Sequence, residues 1–327
     1  MTTEVKPGQL YEILPDSRWA IFFDASMIKD FRFCEQYFMY RHINHINPRG
    51  DRWDASVGSW WSRTMELFYN ALGAKDLTKG LAVELATNAW DELSMDRFRD
   101  TKDSVSFGGA SGAIVMISEY FDYAFSVDSN WTIIGAERGF GRLKEVVVGE
   151  NDKVVVYYIG KPDLVVVEQD RYIPIDHKTR DRITPTIHAE YKPHPQTAGY
   201  IVATQVLLNS LGIDKTVNRC MINVAARKAP TDNPRNGKKA PRFTRVTPHY
   251  SVEELEEWKR QTVASATRLR HCIENNEWIW NSPSGCHLYS GCSYRPIDSV
   301  PEGSRNIVIQ SQYNIEQPWV PYDIGED

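Results

Sequence analysis

The stretch Gly160–Arg180, GKPDLVVVEQDRYIPIDHKTR, decides how the chain is read. Leu164–Glu168 is one run of strand formers and Tyr172–Asp176 a second, with the polar Gln169-Asp170-Arg171 between them as a turn. Asp163 opens the first strand, and Asp176 closes the second, two positions before Lys178. Residues two apart in a strand point to one face, so Asp176 and Lys178 project together, and hairpin pairing brings Asp163 alongside them. Two carboxylates beside one ammonium form a donor set for a hard cation and an activated water.

The flanking segments read as a sheet with helices around it. Trp131–Phe140, Leu143–Val148 and Lys153–Ile159 are three β segments expected to extend the hairpin's sheet, with Asn151-Asp152 as a turn signal. After the hairpin, His194–Leu208 is a helix with Pro195 in its first turn, and it carries Gln196 and Tyr200 four apart on one face. Arg219–Ala226 is the next strand. Arg227–Arg245 holds Arg227, Lys228, Arg235, Lys238, Lys239, Arg242 and Arg245 against the single acid Asp232, and its prolines and Gly237 make it a loop. A basic loop beside the two carboxylates is a candidate phosphate-binding surface.

Towards the N-terminus, residues 1–23 show no clear chemistry, and Ser26 is the expected N-cap of a helix over 27–43 with Met27, Phe31, Cys34 and Phe38 on one face. A polar loop over 44–54 leads to a helix over 55–72 that carries Glu66. Residues 76–97 and 110–128 are two further helices. The run Gly108–Gly112 lacks the Gly-Lys-Ser/Thr of a phosphate loop and is expected to be a flexible connection. Ser251 and Glu254 have the spacing of a capping box for a helix reaching about Ile273. Pro283–Asp298 contains Cys286 and Cys292, and 299–327 has the look of an irregular tail.

Pro162-Asp163, twelve residues, then Asp176-His177-Lys178 resembles the PD-(D/E)XK nuclease superfamily, and the surroundings are similar to its RecB-like branch, which includes phage-encoded exonucleases and CRISPR adaptation nucleases. Gln196 and Tyr200 resemble the branch's Q…Y motif. Gly58 and Glu66 are similar to its glycine–histidine–glutamate helix, with Ser62 in place of the histidine. Ser26, Phe31, Cys34, Tyr37, Tyr40 and Arg41 resemble the helix that supplies the first ligand of an iron–sulfur cluster, and Cys286, Cys292 and Asp298 fall where three further cysteines are expected.

The resemblance implies an α/β fold with a restriction-endonuclease-like core: a central mixed sheet flanked by helices, and a helical subdomain joining the N- and C-terminal parts. Residues 1–54 would contribute Cys34 to that subdomain, 55–250 would be the nuclease core with a helical insertion at about 76–128, and 251–327 would carry the C-terminal helix, the cluster segment 283–298 and the tail. It implies hydrolysis of DNA phosphodiester bonds, on single strands or free ends, with Mg²⁺ or Mn²⁺ held by Glu66, Asp163, Asp176 and the His177 carbonyl. Lys178 would orient the attacking water, and Gln196 and Tyr200 would position the DNA backbone. The cluster ligands would be Cys34, Cys286, Cys292 and Asp298, holding a labile iron–sulfur cluster, with zinc and His287 as the alternative. A catalytically silent DNA-binding or assembly module on the same fold is the competing expectation.

Composition sets the outer bounds. The chain has 327 residues, 25% charged and 42% hydrophobic, as in a globular protein with one or two domains. Its net charge of −5 argues against a wholly basic nucleic-acid coat but leaves room for a local basic groove. The first residues, MTTEVKPGQL, contain no apolar signal region, and the longest apolar run, Val154–Ile159, is too short to cross a bilayer. Five cysteines without a secreted disulfide spacing fit a reducing cytoplasm.

Overall fold

The structure is a computed structural model that describes residues 10–50, 53–95, 106–136, 146–160, 162–228, 241–280, 286 and 291–317. The chain forms two compact units, each drawn from separated segments. One unit comprises Arg52–Arg142 and Lys161–Ser251; the other comprises Met1–Asp51, Leu143–Gly160 and Val252–Asp327.

The first of these units is built on a five-stranded sheet. Its strand order is Phe243–Val246, Met221–Ala226, Arg171–Arg180, Leu164–Glu168 and Thr132–Ala136. Arg171–Arg180 and Met221–Ala226 run parallel, and the other neighbours are antiparallel, which makes the sheet mixed. A parallel pair needs a long crossover, and the helix Pro195–Ser210 lies within it. This is the restriction-endonuclease-like architecture expected from the sequence.

One helix, Trp53–Gly73, covers a face of that sheet because its apolar residues recur at helical spacing. Val57, Trp60, Trp61, Met65, Phe68, Tyr69 and Leu72 are all buried in one core with Leu164, Val166, Ile173 and Ile175 of the hairpin. Each such side chain contributes about 1.5–3 kcal/mol by leaving water. The helices Lys79–Glu92 and Gly109–Asp128 join the same core. The Trp60 indole donates to Ala86 O at 3.0 Å, so its one polar atom is satisfied.

The glycine run before the third of these helices is not a flexible connection. Gly108 adopts φ +86° as the helix N-cap, and the helix begins at Gly109. A Cβ at Gly112 would lie 1.8 Å from Phe107 O, so only glycine permits this first turn.

The second unit holds a four-stranded sheet in the order Tyr11–Ile13, Trp19–Phe23, Val154–Tyr158, Val146–Glu150. This corrects the expectation that all three β segments before the hairpin extend its sheet. Only Thr132–Ala136 does so; 137–145 lie outside the described residues. Trp19–Phe23 is buried at every position and runs parallel to Val154–Tyr158, so the segment without clear chemistry supplies an inner strand. The helix Val252–Asn275 and the segment Met1–Asp51 belong to this unit, which contains a sheet as well as helices.

Three local readings change. Asp24 is the N-cap of the first helix, Ala25–Phe33, and its Oδ1 accepts from Met27 N at 2.7 Å, which leaves Ser26 inside the first turn. Cys34 is extended, at φ −164°, and divides that helix from Glu35–Phe38. The tail contains a helix, Arg305–Gln312, and a strand, Tyr313–Ile315, that pairs with Ile46–Pro48 inside the expected polar loop. Among the described residues, no helix is long and apolar enough to cross a membrane.

Candidate active site

A tight turn sets the geometry of the site. Gln169 and Asp170 both have positive φ, 48° and 64°, the pattern of a two-residue hairpin turn whose twist matches that of the strands. The register pairs Leu164 with Ile175, and carried one step further it sets Asp163 across from Asp176. Asp163 Oδ2 accepts the His177 main-chain N–H at 2.6 Å. Asp176 is buried, and Lys178 Nζ lies 2.9 Å from its Oδ1 and 2.8 Å from its Oδ2.

The crossover helix supplies the next contacts. His194 is its N-cap rather than its first residue, and Pro195 lies in the first turn as expected. Its first turn is anchored by Thr197, whose hydroxyl lies 2.8 Å from that of Tyr250. Gln196 Nε2 donates to Asp176 Oδ1 at 2.9 Å and lies 3.0 Å from the Tyr200 hydroxyl. Gln196 and Tyr200, expected to position the DNA backbone, are therefore turned to Asp176.

Charge at the site is balanced from within. Burial raises the Asp176 pKa, against which the Lys178 charge and hydrogen bonds from Lys178 and Tyr200 work. For Lys178 burial acts in the opposite direction, but Asp176 and Asp163 outweigh it and raise its pKa, so the ammonium is kept. Burial, then the charges of Arg245 and Lys178, push His177 down to about 3, so its ring is neutral.

Glu66 is buried on the Trp53–Gly73 helix and accepts from Arg63 at 2.7 Å. Among the described residues no group of three or more His, Cys, Asp and Glu side chains could hold a metal ion, so Glu66 is not drawn into one ion-sized group with Asp163 and Asp176. The facing pair itself fits magnesium or manganese chemistry. These are hard oxygen donors, and Mg²⁺ is commonly held by one or two carboxylates plus water and substrate oxygens.

The basic stretch divides into parts with different roles. Arg235, Lys238 and Lys239 lie outside the described residues. Arg227 and Lys228 both pair with Asp181, the latter at 2.8 Å. Arg242 and Arg245 are not surface phosphate ligands. Arg242 is buried and donates to Glu119 at 2.6 Å, and Arg245 donates to Asp128, which is wholly buried, at 2.6 Å. The strand Phe243–Val246 turns this end of the expected loop inward.

All five cysteines are free. The neighbouring Cys286 and Cys34 thiols add to burial in raising the Cys292 pKa. Asp298, however, accepts from Gln36 at 2.9 Å and from Tyr40 at 2.7 Å. The four-ligand set for a cluster is not assembled among the described residues, and His287 lies outside them.

Sequence reasoning missed the polar residues behind the site. Asn223 is buried within the apolar strand MINVAA, and Asp128 within the end of an apolar helix. An amide or carboxylate inside an apolar run was the available signal, because a buried polar group requires a partner.

A family model of the PD-(D/E)XK nuclease superfamily matches residues 23–297. This chain belongs to the PD-(D/E)XK nuclease superfamily. Pro162-Asp163 lead directly into one strand of the hairpin, Leu164–Glu168, and Asp176-His177-Lys178 lie on the other, Arg171–Arg180. A solved structure of LHK-Exo in complex with dAMP is similar over 66% of this chain and 94% of that chain, at 13% identity and a TM-score of 0.25. No curated protein matches the chain.

Proposed function

We propose that this PD-(D/E)XK chain is a divalent-metal-dependent deoxyribonuclease acting on single-stranded DNA or DNA ends. The observation that carries this reading is the convergence of Asp163, Asp176 and Lys178 at one end of a hairpin, with Asp163 tied to the residue between the other two. Asp163 and Asp176, with the His177 carbonyl, would hold Mg²⁺ or Mn²⁺. Such an ion supplies Lewis-acid charge at a phosphate and lowers the pKa of water.

The protein's own groups do the rest. Gln196 and Tyr200 fix the orientation of the Asp176 carboxylate. The Lys178 ammonium is paired with Asp176 and feels the charge of Asp163, and its side chain keeps 35% exposure. It can therefore orient a water and stabilise negative charge as it develops on the phosphate. The free cysteines support a reducing cytoplasmic setting.

Digestion of linear double-stranded, single-stranded and closed circular DNA, each with Mg²⁺, with Mn²⁺ and with chelator, tests this. The expected result is metal-dependent loss of the linear and single-stranded substrates while the closed circle persists. Absence of metal-dependent loss with every substrate would overturn the nuclease reading, and equal loss of the closed circle would overturn the end preference.

A further inference from the structure

Six side chains form one hydrogen-bonded string behind the catalytic strand. Arg245 and Tyr69 donate to the same Asp128 oxygen at 2.6 and 2.7 Å. The hydroxyls of Tyr69 and Tyr120 lie 2.7 Å apart. Asn223 Nδ2 donates to the Tyr120 hydroxyl and lies 3.0 Å from His177 Nδ1. Tyr69, Tyr120, Asp128, Asn223 and His177 are all buried, where an apolar packing of equal volume would hold the helices on the sheet as well.

The string ends on the residue that matters most to the site's geometry. The Asn223 amide lies 3.0 Å from His177 Nδ1, so one ring nitrogen is held by a hydrogen bond from behind the strand. The ring also lies over Tyr69, with centroids 5.4 Å apart and planes 20° from parallel. Both the direction and the depth of the His177 side chain are thereby set from behind. Its main-chain N–H holds Asp163 at 2.6 Å, and its neighbours in the chain are Asp176 and Lys178. A small slide of His177 along the sheet would move all three charged groups, and metal ligands held by such supports lose affinity when the support is removed.

We propose that Asn223, acting through His177, is a positioning residue that sets Asp163 against Asp176 for binding a divalent cation. This rests on the metal-dependent reading above. A role confined to packing would lower stability without a specific loss of metal affinity.

The test is Mn²⁺ binding to the full chain without DNA, followed by electron paramagnetic resonance, for wild type, Asp163→Ala, Asn223→Leu, Asn223→Ser, His177→Phe and the Asn223→Leu/His177→Phe double variant. His177→Phe keeps an aromatic ring against Tyr69 and removes the ring nitrogen that Asn223 contacts. Asn223→Leu and His177→Phe should each weaken Mn²⁺ binding about 10-fold. The double variant should bind no more weakly than the worse single variant, because both remove the same hydrogen bond. If Asp163→Ala binds Mn²⁺ as wild type does, the metal reading itself falls. If Asp163→Ala loses binding while both Asn223 variants and His177→Phe retain it, only the positioning proposal falls; additive losses in the double variant overturn it too. Should Asn223→Leu fail to fold, Asn223→Ser and His177→Phe decide the matter.

Discussion

Asp163 accepts the main-chain N–H of His177 at 2.6 Å, so a carboxylate at the start of one strand is tied to the residue between Asp176 and Lys178 on the next. The acid of the first segment is thus coupled to the strand that carries the other two charges, and the distance between them is set by sheet register as well as by side-chain rotamers.

That coupling separates the effects of two substitutions. Asp163→Ala should abolish DNA cleavage and weaken metal binding. Lys178→Ala should lower turnover by about 10²–10³-fold, the usual cost of removing one preorganised charge-stabilising donor, with a smaller change in metal affinity. Both variants should melt as cooperatively as wild type. Wild-type cleavage by highly purified Asp163→Ala would sink the assignment of the site.

Arg245 should behave as a core residue. Its guanidinium pairs with the buried Asp128 and lies 4.8 Å from the Trp131 ring centroid. Arg245→Met strands Asp128 in the interior and should cost about 3–5 kcal/mol. Lys228→Ala, which breaks an exposed pair with Asp181, should cost less than about 1 kcal/mol. Urea titration of the two variants checks this ordering; equal midpoints would show that Arg245 is not structural.

His177 gives the stability a predictable acid limb. Its pKa falls to about 3 in the folded chain, from burial first and then from the Arg245 and Lys178 charges facing it. Below about pH 6.5 the unfolded chain takes up a proton that the folded one refuses, so stability falls as pH drops from there towards 3. The slope attributable to this ring is about 1.4 kcal/mol per pH unit. Unfolding free energies of wild type and His177→Phe, from urea titrations between pH 6 and 5, should diverge in slope by about that amount, and parallel curves would contradict the burial of a neutral ring.

The basic stretch yields a narrower prediction. With Arg242 and Arg245 engaged inside the fold, Lys238 and Lys239 are the residues to test for phosphate binding. Replacing both with Ala should weaken DNA binding and lower the slope of log affinity against log salt by about one unit for each lysine–phosphate pair removed. Unchanged affinity and slope would leave this stretch without a role in binding.

The hairpin was legible because everything that defines it is local: two runs of strand formers, a polar turn, and acids at fixed offsets. The pairing of Trp19–Phe23 with Val154–Tyr158 was not, since periodicity shows that a run is buried but not which distant strand lies beside it. Arg242 and Arg245 were misread for a related reason. A sequence displays the positive charge and hides Glu119 and Asp128, which come from a helix far upstream. Gln196 and Tyr200 stood out through their resemblance to a family motif, but their partner, Asp176, became visible only once the crossover helix was placed.

Each unit interrupts the other in the chain, which imposes an order on synthesis. The unit that bears the hairpin has all its residues once Ser251 has emerged, whereas the other still awaits Val252–Asp327. Neither can be excised as one continuous fragment. As domains generally fold as units during translation, the nuclease hairpin should be in place before the unit that uses both chain ends is complete. Ribosome-arrested chains long enough to expose Ser251 should already protect Leu164–Arg180 from protease; protection that arises only in the full-length chain would show that the two units fold together.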